Sequence, residues 1–233
     1  MAYFVTGATG FIGRFLVTEL LDHREGEIFV LVRAGSRHRM EALIRRWGTD
    51  RVTPVVGDLS QDGLGVDPAW VAEHRGSVEH FFHLAAIYDM TADDATNETM
   101  NVGGTRHAVQ LAEALEVGCF HQVSSVAAAG EHHGRFDETM FDQGQHLPSP
   151  YHRTKFESER IVREEATVPW RVYRPAIVVG DSQSGEMDKV DGPYYMFKLI
   201  QKLKDVLPNW MPLIGVEGGH FNVVPVDFVA DAL

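Results

Sequence analysis

Cysteine is almost absent from this chain: Cys119 is the single one in 233 residues. An intrachain disulfide is therefore excluded, and a thiolate-based zinc site has too few ligands to form. Basic charge is also in short supply. Lys and Arg number 21 against 33 Asp and Glu, a net charge of -12, the reverse of the excess that non-specific nucleic-acid binding requires. No apolar run approaches the roughly 20 residues that cross a bilayer. No secretory leader is expected before the first strand, because residues 2–5 already read as structure. Adjacent His132 and His133, beside Glu131, cannot easily point at one ion and read as a solvated loop without metal. The expectation is a soluble, cytoplasmic protein with neither a transmembrane segment nor nucleic acid as a partner. The oligomeric state, a homo-oligomer included, stays open.

What is present is enough apolar content for one full core, at 44% hydrophobic residues. Short β-branched or aromatic runs occur at 3–5, 28–32, 52–56, 80–84, 120–123 and 170–173. Stretches with helical spacing separate most of them, such as Phe11, Phe15, Leu16, Leu20 and Met40, Leu43, Ile44, Trp47. Strands alternating with helices predict βαβ crossovers and a parallel sheet covered on both faces, a doubly wound α/β fold. After Pro175 the pattern changes: a loop over 180–193, a helix over 194–207 and a second loop over 215–220. Asp227 reads as the N-cap of a helix over 228–233. These readings divide the chain into a dinucleotide-binding core at 1–180 and the start of a substrate-binding region at 181–233. That region returns to the core near 221–233 and reads as truncated, so a further domain is expected beyond Leu233.

The segment Thr6-Gly7-Ala8-Thr9-Gly10-Phe11-Ile12-Gly13 lies where the first strand ends and the first helix begins. Gly7 suits a tight turn, Gly10 lets backbone approach a pyrophosphate, and Gly13 lets the helix pack closely on the sheet. The N–H groups of Phe11 and Ile12 then face phosphate from the positive helix end. A carboxylate at the end of the second strand would select NAD, by binding a ribose hydroxyl. Arg33 stands there instead, with Arg37 and Arg39 after it and Arg14 in reach, so NADPH is the expected cofactor. Asp58, in Gly57-Asp58-Leu59, can accept from the adenine amino group. The small side chains of Ala85 and Ala86 let the cofactor lie against the fourth strand's end.

Ser149-Pro150-Tyr151 opens a helix on which Tyr151 and Lys155 share one face, one turn apart, with Ser158 and Val162 continuing the stripe. A free tyrosine has a pKa of about 10 and is a weak acid catalyst at neutral pH. A neighbouring ammonium lowers that value by stabilising the phenolate. Ser124 and Ser125 end the strand before this helix, and Asn101 offers an amide to the same cleft.

Taken in order, these motifs resemble the extended branch of the short-chain dehydrogenase/reductases. They are Gly7-x-x-Gly10-x-x-Gly13, Gly57-Asp58-Leu59, His83-x-Ala85-Ala86, Asn101-x-x-Gly104-Thr105, Ser124-Ser125, Tyr151-x-x-x-Lys155, Tyr173-Arg174-Pro175 and Val226-Asp227. Within that branch the chain looks most like the fatty acyl-CoA reductase (male-sterility) and thioester reductase domain group. It shares Leu31-Val32-Arg33-Ala34 and Val224-Pro225-Val226-Asp227-Phe228-Val229 with that group. It departs in carrying Ser125 where Thr is common, and in a shorter 137–148 segment. The resemblance implies a Rossmann sheet and a catalytic set of Tyr151 as proton donor, Lys155 on the nicotinamide ribose, Ser125 polarising the carbonyl and Asn101 supporting the Lys155 end of a relay. It implies a cofactor surface of Gly7, Thr9, Gly10, Phe11, Ile12, Gly13, Arg33, Arg37, Asp58, Leu59, Ala85, Ala86, Tyr151, Lys155 and Pro175. The reaction expected is NADPH-dependent reduction of an acyl-CoA or carrier-bound acyl thioester to an aldehyde, and onward to an alcohol. Two other readings stand beside it: an extended dehydrogenase or epimerase acting on a sugar nucleotide or another hydroxy or keto substrate, and a dinucleotide sensor without turnover.

Overall fold

The computed structural model describes residues 1–86, 98–187 and 222–233. Its centre is a six-stranded parallel sheet in the order β3-β2-β1-β4-β5-β6. The strands are β1 (Ala2–Thr6), β2 (Glu27–Val32), β3 (Val52–Val56), β4 (Val78–His83), β5 (Cys119–Val123) and β6 (Trp170–Tyr173). Each of the six apolar runs in the sequence forms one of them. Among the described residues, the helices that accompany the sheet are α1 (Phe11–His23), α2 (Arg37–Trp47), α3 (Pro68–His74), α4 (Gly104–Ala114) and α5 (Pro150–Glu165). The expected helix over 194–207 and the loop over 215–220 lie outside the described residues.

Every residue of β1 is buried, because a strand at the middle of a parallel sheet is covered on both sides. Successive side chains point to opposite faces. Phe4 joins Phe29, Phe81 and Phe120 in a core closed by Ala108, Leu111, Ala112, Ile161 and Val162 of α4 and α5. The rings of Phe4 and Phe81 stack at 4.7 Å, and those of Phe81 and Phe120 lie 5.3 Å apart. Tyr3 and Val5 face the other way, into a second core with Leu16, Val17 and Leu20 of α1 and Met40 of α2. In α1 the buried stripe is Gly13, Leu16, Val17 and Leu20. Phe11 and Phe15, which share the helical spacing, are half-buried and meet edge to face at 5.6 Å.

Two further strands, β7 (Ile177–Val179) and β8 (Val223–Pro225), pair in parallel as a separate sheet. The helix α6 (Val226–Ala232) follows β8 and packs against α1, with Val226, Val229 and Ala230 buried. The local pattern makes Asp227 the N-cap, and the structure corrects this: Pro225 occupies the cap and Asp227 lies inside the first turn. There its carboxylate accepts from the backbone N–H of Ser182 at 3.0 Å and from the Ser182 hydroxyl at 2.6 Å. Asp227 therefore pins the turn after β7 to the start of α6.

Within the sheet, His121 of β5 stacks on Phe82 at 4.4 Å and bonds both His80 and the Tyr173 hydroxyl, each at 3.0 Å. Burial pushes its pKa down from 6.5 to about 3, with smaller contributions from His80 and Arg171. The folded protein therefore holds this ring neutral, while the unfolded chain protonates it below its ordinary pKa. This contribution to stability is present above pH 6.5 and lost as pH falls toward 3. In urea unfolding, the midpoint should drop between about pH 7 and about 5, and His121→Phe should drop less steeply over that interval. Parallel slopes for the two proteins would refute the assignment.

Candidate active site

Parallel strands align their carboxyl ends: Thr6 pairs with His83 and Val123 with Tyr173. Chain order reverses between β1 and β4, which opens a crevice where ligands enter such sheets. The glycine turn fills the β1 side of that crevice. Gly7 has a φ of +78°, and a Cβ there would meet the Ala85 backbone nitrogen at 2.7 Å. A Cβ on Gly13 would lie 2.2 Å from the Gly7 oxygen. The Gly10 N–H closes the turn on the Gly7 oxygen at 2.9 Å. Thr9 and Gly10 are exposed, Phe11 and Ile12 half-buried, and no side chain among the described residues caps α1. The first-turn N–H groups are thus presented together at the positive helix end.

At the end of β2, Arg33 is exposed and its carbonyl accepts from Ser36 N–H. Arg37 instead pairs with Glu41 one turn along α2 at 3.1 Å, so Arg33 is the guanidinium standing at the strand end. Asp58 accepts from the backbone and hydroxyl of Ser60 at 2.9 and 2.7 Å. These bonds, aided by the field of Arg33, hold its carboxyl below the usual range. Leu59 is held from the α4 side, its carbonyl bonded to His107 at 2.8 Å and its side chain against Gly104. Ala85 is half-buried and Ala86 exposed, at the mouth of the crevice.

Ser149 caps α5 and Pro150 occupies its first turn. The stripe follows the sequence pattern: Lys155, Ser158 and Val162 are buried, with Tyr151 half-buried at the helix start. The Lys155 ammonium donates to the Val123 carbonyl at 3.3 Å, beneath the end of β5. Burial lowers its pKa from 10.5 to about 8. Ser125, 9% exposed, leaves β5 in an extended conformation and its Oγ accepts from Ala127 N–H at 3.2 Å. The Ser125 proton is therefore available for donation. Pro175 adjoins this corner, its carbonyl accepting from Val126 N–H at 3.1 Å. Asn101 sits in a π-helical turn, Glu98–Gly103, the irregular helix type that recurs at functional sites. Its carbonyl accepts from Thr105 at 2.7 Å and Ser158 at 3.0 Å, and its amide donates to Thr154 at 3.5 Å. Asn101 thus grips α5 on both sides of Lys155.

Glu159 is a residue that sequence reasoning misses. It is fully buried, accepts from Ser124 Oγ at 3.0 Å, and faces Arg163 at 2.8 Å and Arg174 at 2.6 Å. Arg174 also donates to the carbonyls of Asp137 and Met140 at 3.2 and 2.9 Å. One carboxylate therefore fixes the β5 end beside Ser125 and the segment before α5. The available signal is spacing: Glu159 continues the Tyr151–Lys155 face by one more turn. In the loop of Glu131, His132 and His133, Glu131 pairs with His146 at 2.8 Å. Among the described residues no group of three metal-ligating side chains occurs, and no helix is long and apolar enough to cross a membrane.

The cleft fits a dinucleotide on its own geometry: Gly7 and Gly13 let the turn pack tightly on Ala85 and on itself, which leaves Thr9 and Gly10 exposed beside a helix start with no side-chain cap. The model of the male sterility protein family matches residues 5–233, and the chain belongs to that family. Its architecture is the extended short-chain dehydrogenase/reductase fold. The chain is 28% identical to a linear gramicidin synthase of Brevibacillus parabrevis over 251 residues, covering 100% of itself and 5% of that protein. It is 30% identical to glycine betaine reductase ATRR of Emericella nidulans, over 98% of itself and 19% of the relative. Among solved structures, the terminal R domain from the myxalamid PKS-NRPS biosynthetic pathway superposes with a TM-score of 0.80 at 25% identity, covering 99% of this chain and 60% of that one. The chain thus spans a small part of the curated relatives it matches.

Glu159→Gln removes the charge that compensates Arg163 and Arg174. Loss of one partner from a buried pair costs about 3–5 kcal/mol, and the partial exposure of both arginines places the expected loss near the lower end. Chemical denaturation checks this, and an unchanged midpoint would contradict the clamp.

Proposed function

We propose that this chain is the catalytic core of an NADPH-dependent reductase that converts an acyl thioester to an aldehyde and a thiol. The observation that carries the reading is the placement of Tyr151 one turn before the buried Lys155, on a helix that Asn101 grips, with Ser125 at the adjoining strand end. The named reductase among the relatives and the R-domain fold support it.

The glycine turn and α1 would hold the pyrophosphate, Arg33 the 2′-phosphate, and Lys155 the nicotinamide ribose. When bound, the reduced nicotinamide supplies the hydride that reduces the carbonyl carbon. Ser125 donates its proton to the substrate oxygen as a hydrogen bond, which draws charge from the carbonyl carbon. Tyr151 delivers a proton to the oxygen as negative charge develops there, and the Lys155 ammonium stabilises the phenolate left behind. The resulting hemithioacetal loses its hydroxyl proton and its thiolate, which together leave as the thiol, and the aldehyde remains. A second round would give the alcohol. Residues 181–233 are read as the beginning of the region that encloses the acyl group, and a carrier or further domain as the source of the thioester.

Four outcomes check this reading. Arg33→Asp should erase a preference for NADPH over NADH in parallel binding titrations; equal affinities in the wild type would sink the cofactor assignment. Tyr151→Phe should lower turnover by about 10²-fold or more while dinucleotide affinity stays near wild type. Because Lys155 loses its proton near pH 8, dinucleotide affinity should weaken as pH rises through that value, and Lys155→Met should bind weakly with no such dependence. Product analysis should offer acyl-CoA, sugar nucleotides and simple ketones to the full-length protein. Turnover of a sugar nucleotide without thioester reduction would refute the acyl assignment, and binding without any turnover would make the protein a sensor.

A further inference from the structure

His83 ends β4 between the two halves of the cleft, 2% exposed, and the reaction proposed above gives it no task. Its hydrogen bonds determine where its proton lies. The Asn101 carbonyl can only accept, so Thr105 gives it its one hydroxyl proton at 2.7 Å. Thr105 Oγ1 therefore meets His83 Nε2, 3.3 Å away, as an acceptor, and Nε2 carries the hydrogen. On the other side, Ala85 N–H donates to Thr6 Oγ1 at 3.2 Å. Thr6 gives its own proton to His83 Nδ1 at 2.8 Å, which must be bare. One neutral tautomer satisfies every donor and acceptor. Protonating Nδ1 would leave the Thr6 hydroxyl without its acceptor in a buried place, a costly loss.

The ends of this chain of bonds are functional surfaces. Ala85 N–H lies against Gly7, whose turn forms the cleft floor. The Asn101 carbonyl also accepts from Ser158 of α5, less than one turn beyond Lys155. We propose that His83 is a positioning residue: as a neutral, Nε2-protonated imidazole it ties the floor of the dinucleotide cleft to the helix that carries Tyr151 and Lys155. It holds the separation between the two without exchanging a proton. Burial and the nearby Lys155 ammonium, which together push its pKa to about 3, are consistent with a ring that stays neutral at working pH. The inference rests on the reductase reading of the cleft.

The test uses the same full-length protein as wild type, His83→Phe and His83→Gln. In ¹⁵N-edited NMR of the wild type, the His83 ring should show the Nε2–H tautomer with no titration from about pH 8 down to about 5.5. A titrating ring or the Nδ1–H tautomer overturns the proposal, and this measurement needs no variant to fold. His83→Phe keeps the ring volume and should lower kcat by roughly tenfold or more, as small misplacements of reacting groups do. It should also move the pH profile set by Tyr151 and Lys155. His83→Gln, which restores a donor toward Thr105, should recover part of the loss. A His83→Phe protein that is less stable yet keeps wild-type kcat and pH profile would show a structural role alone and overturn the proposal. A wild type that neither binds dinucleotide nor turns over would instead overturn the reductase reading, whatever tautomer is found.

Discussion

The structure is organised around an ammonium with almost no exposure to water. Lys155 sits under the end of β5, 8% exposed, with the Val123 carbonyl as its neighbour. Burying a cation is unfavourable, and the lowered pKa expresses that cost. Several elements have to agree for the charge to stay there. The Ser149 cap sets where α5 begins, Asn101 binds α5 at Thr154 and Ser158, and Glu159 ties the next turn to Ser124. The ammonium is therefore held one turn from the half-buried Tyr151 by contacts from three separate parts of the chain.

The sheet makes that convergence possible. Parallel pairing brings Thr6, His83 and Val123 to one edge although they are far apart in sequence. The reversal of strand order between β1 and β4 then leaves a crevice at that same edge. On its β1 side, the turn at Thr9 and Gly10 is exposed beside the start of α1; on its β5 side, polar side chains are buried. A ligand with an anionic middle and a reactive end matches this division, since the helix start meets the anion and the α5 stripe meets the chemistry.

Much of this is legible in the residues. The six apolar runs, each bounded by polar or glycine-rich segments, form the six strands, because short β-branched runs in a buried parallel sheet carry a strong local signal. The spacing of Tyr151 and Lys155 implies one face of a helix, and the structure places them so. Asp227 is where local pattern misleads: it resembles a cap, but its carboxylate is engaged by Ser182, a partner 45 residues away. Helical periodicity marks Phe11 and Phe15 as part of an apolar face without saying what covers it. The pair β7 and β8 leaves no clear pattern, being three residues each and, among the described residues, paired with one another outside the main sheet.

By itself the sequence determined the order of strands and helices, the glycine turn, and the face shared by Tyr151 and Lys155, since these depend on neighbours a few positions apart. Only the tertiary structure decided which polar groups meet. The links from Thr6 through His83 to Thr105, and from Glu159 to Ser124, Arg163 and Arg174, join side chains whose meeting no strand or turn pattern announces. Buried hydrogen bonds and ion pairs are set by where the sheet and helices bring their partners, and each such partner must be present because an unpaired polar group is costly once water is excluded.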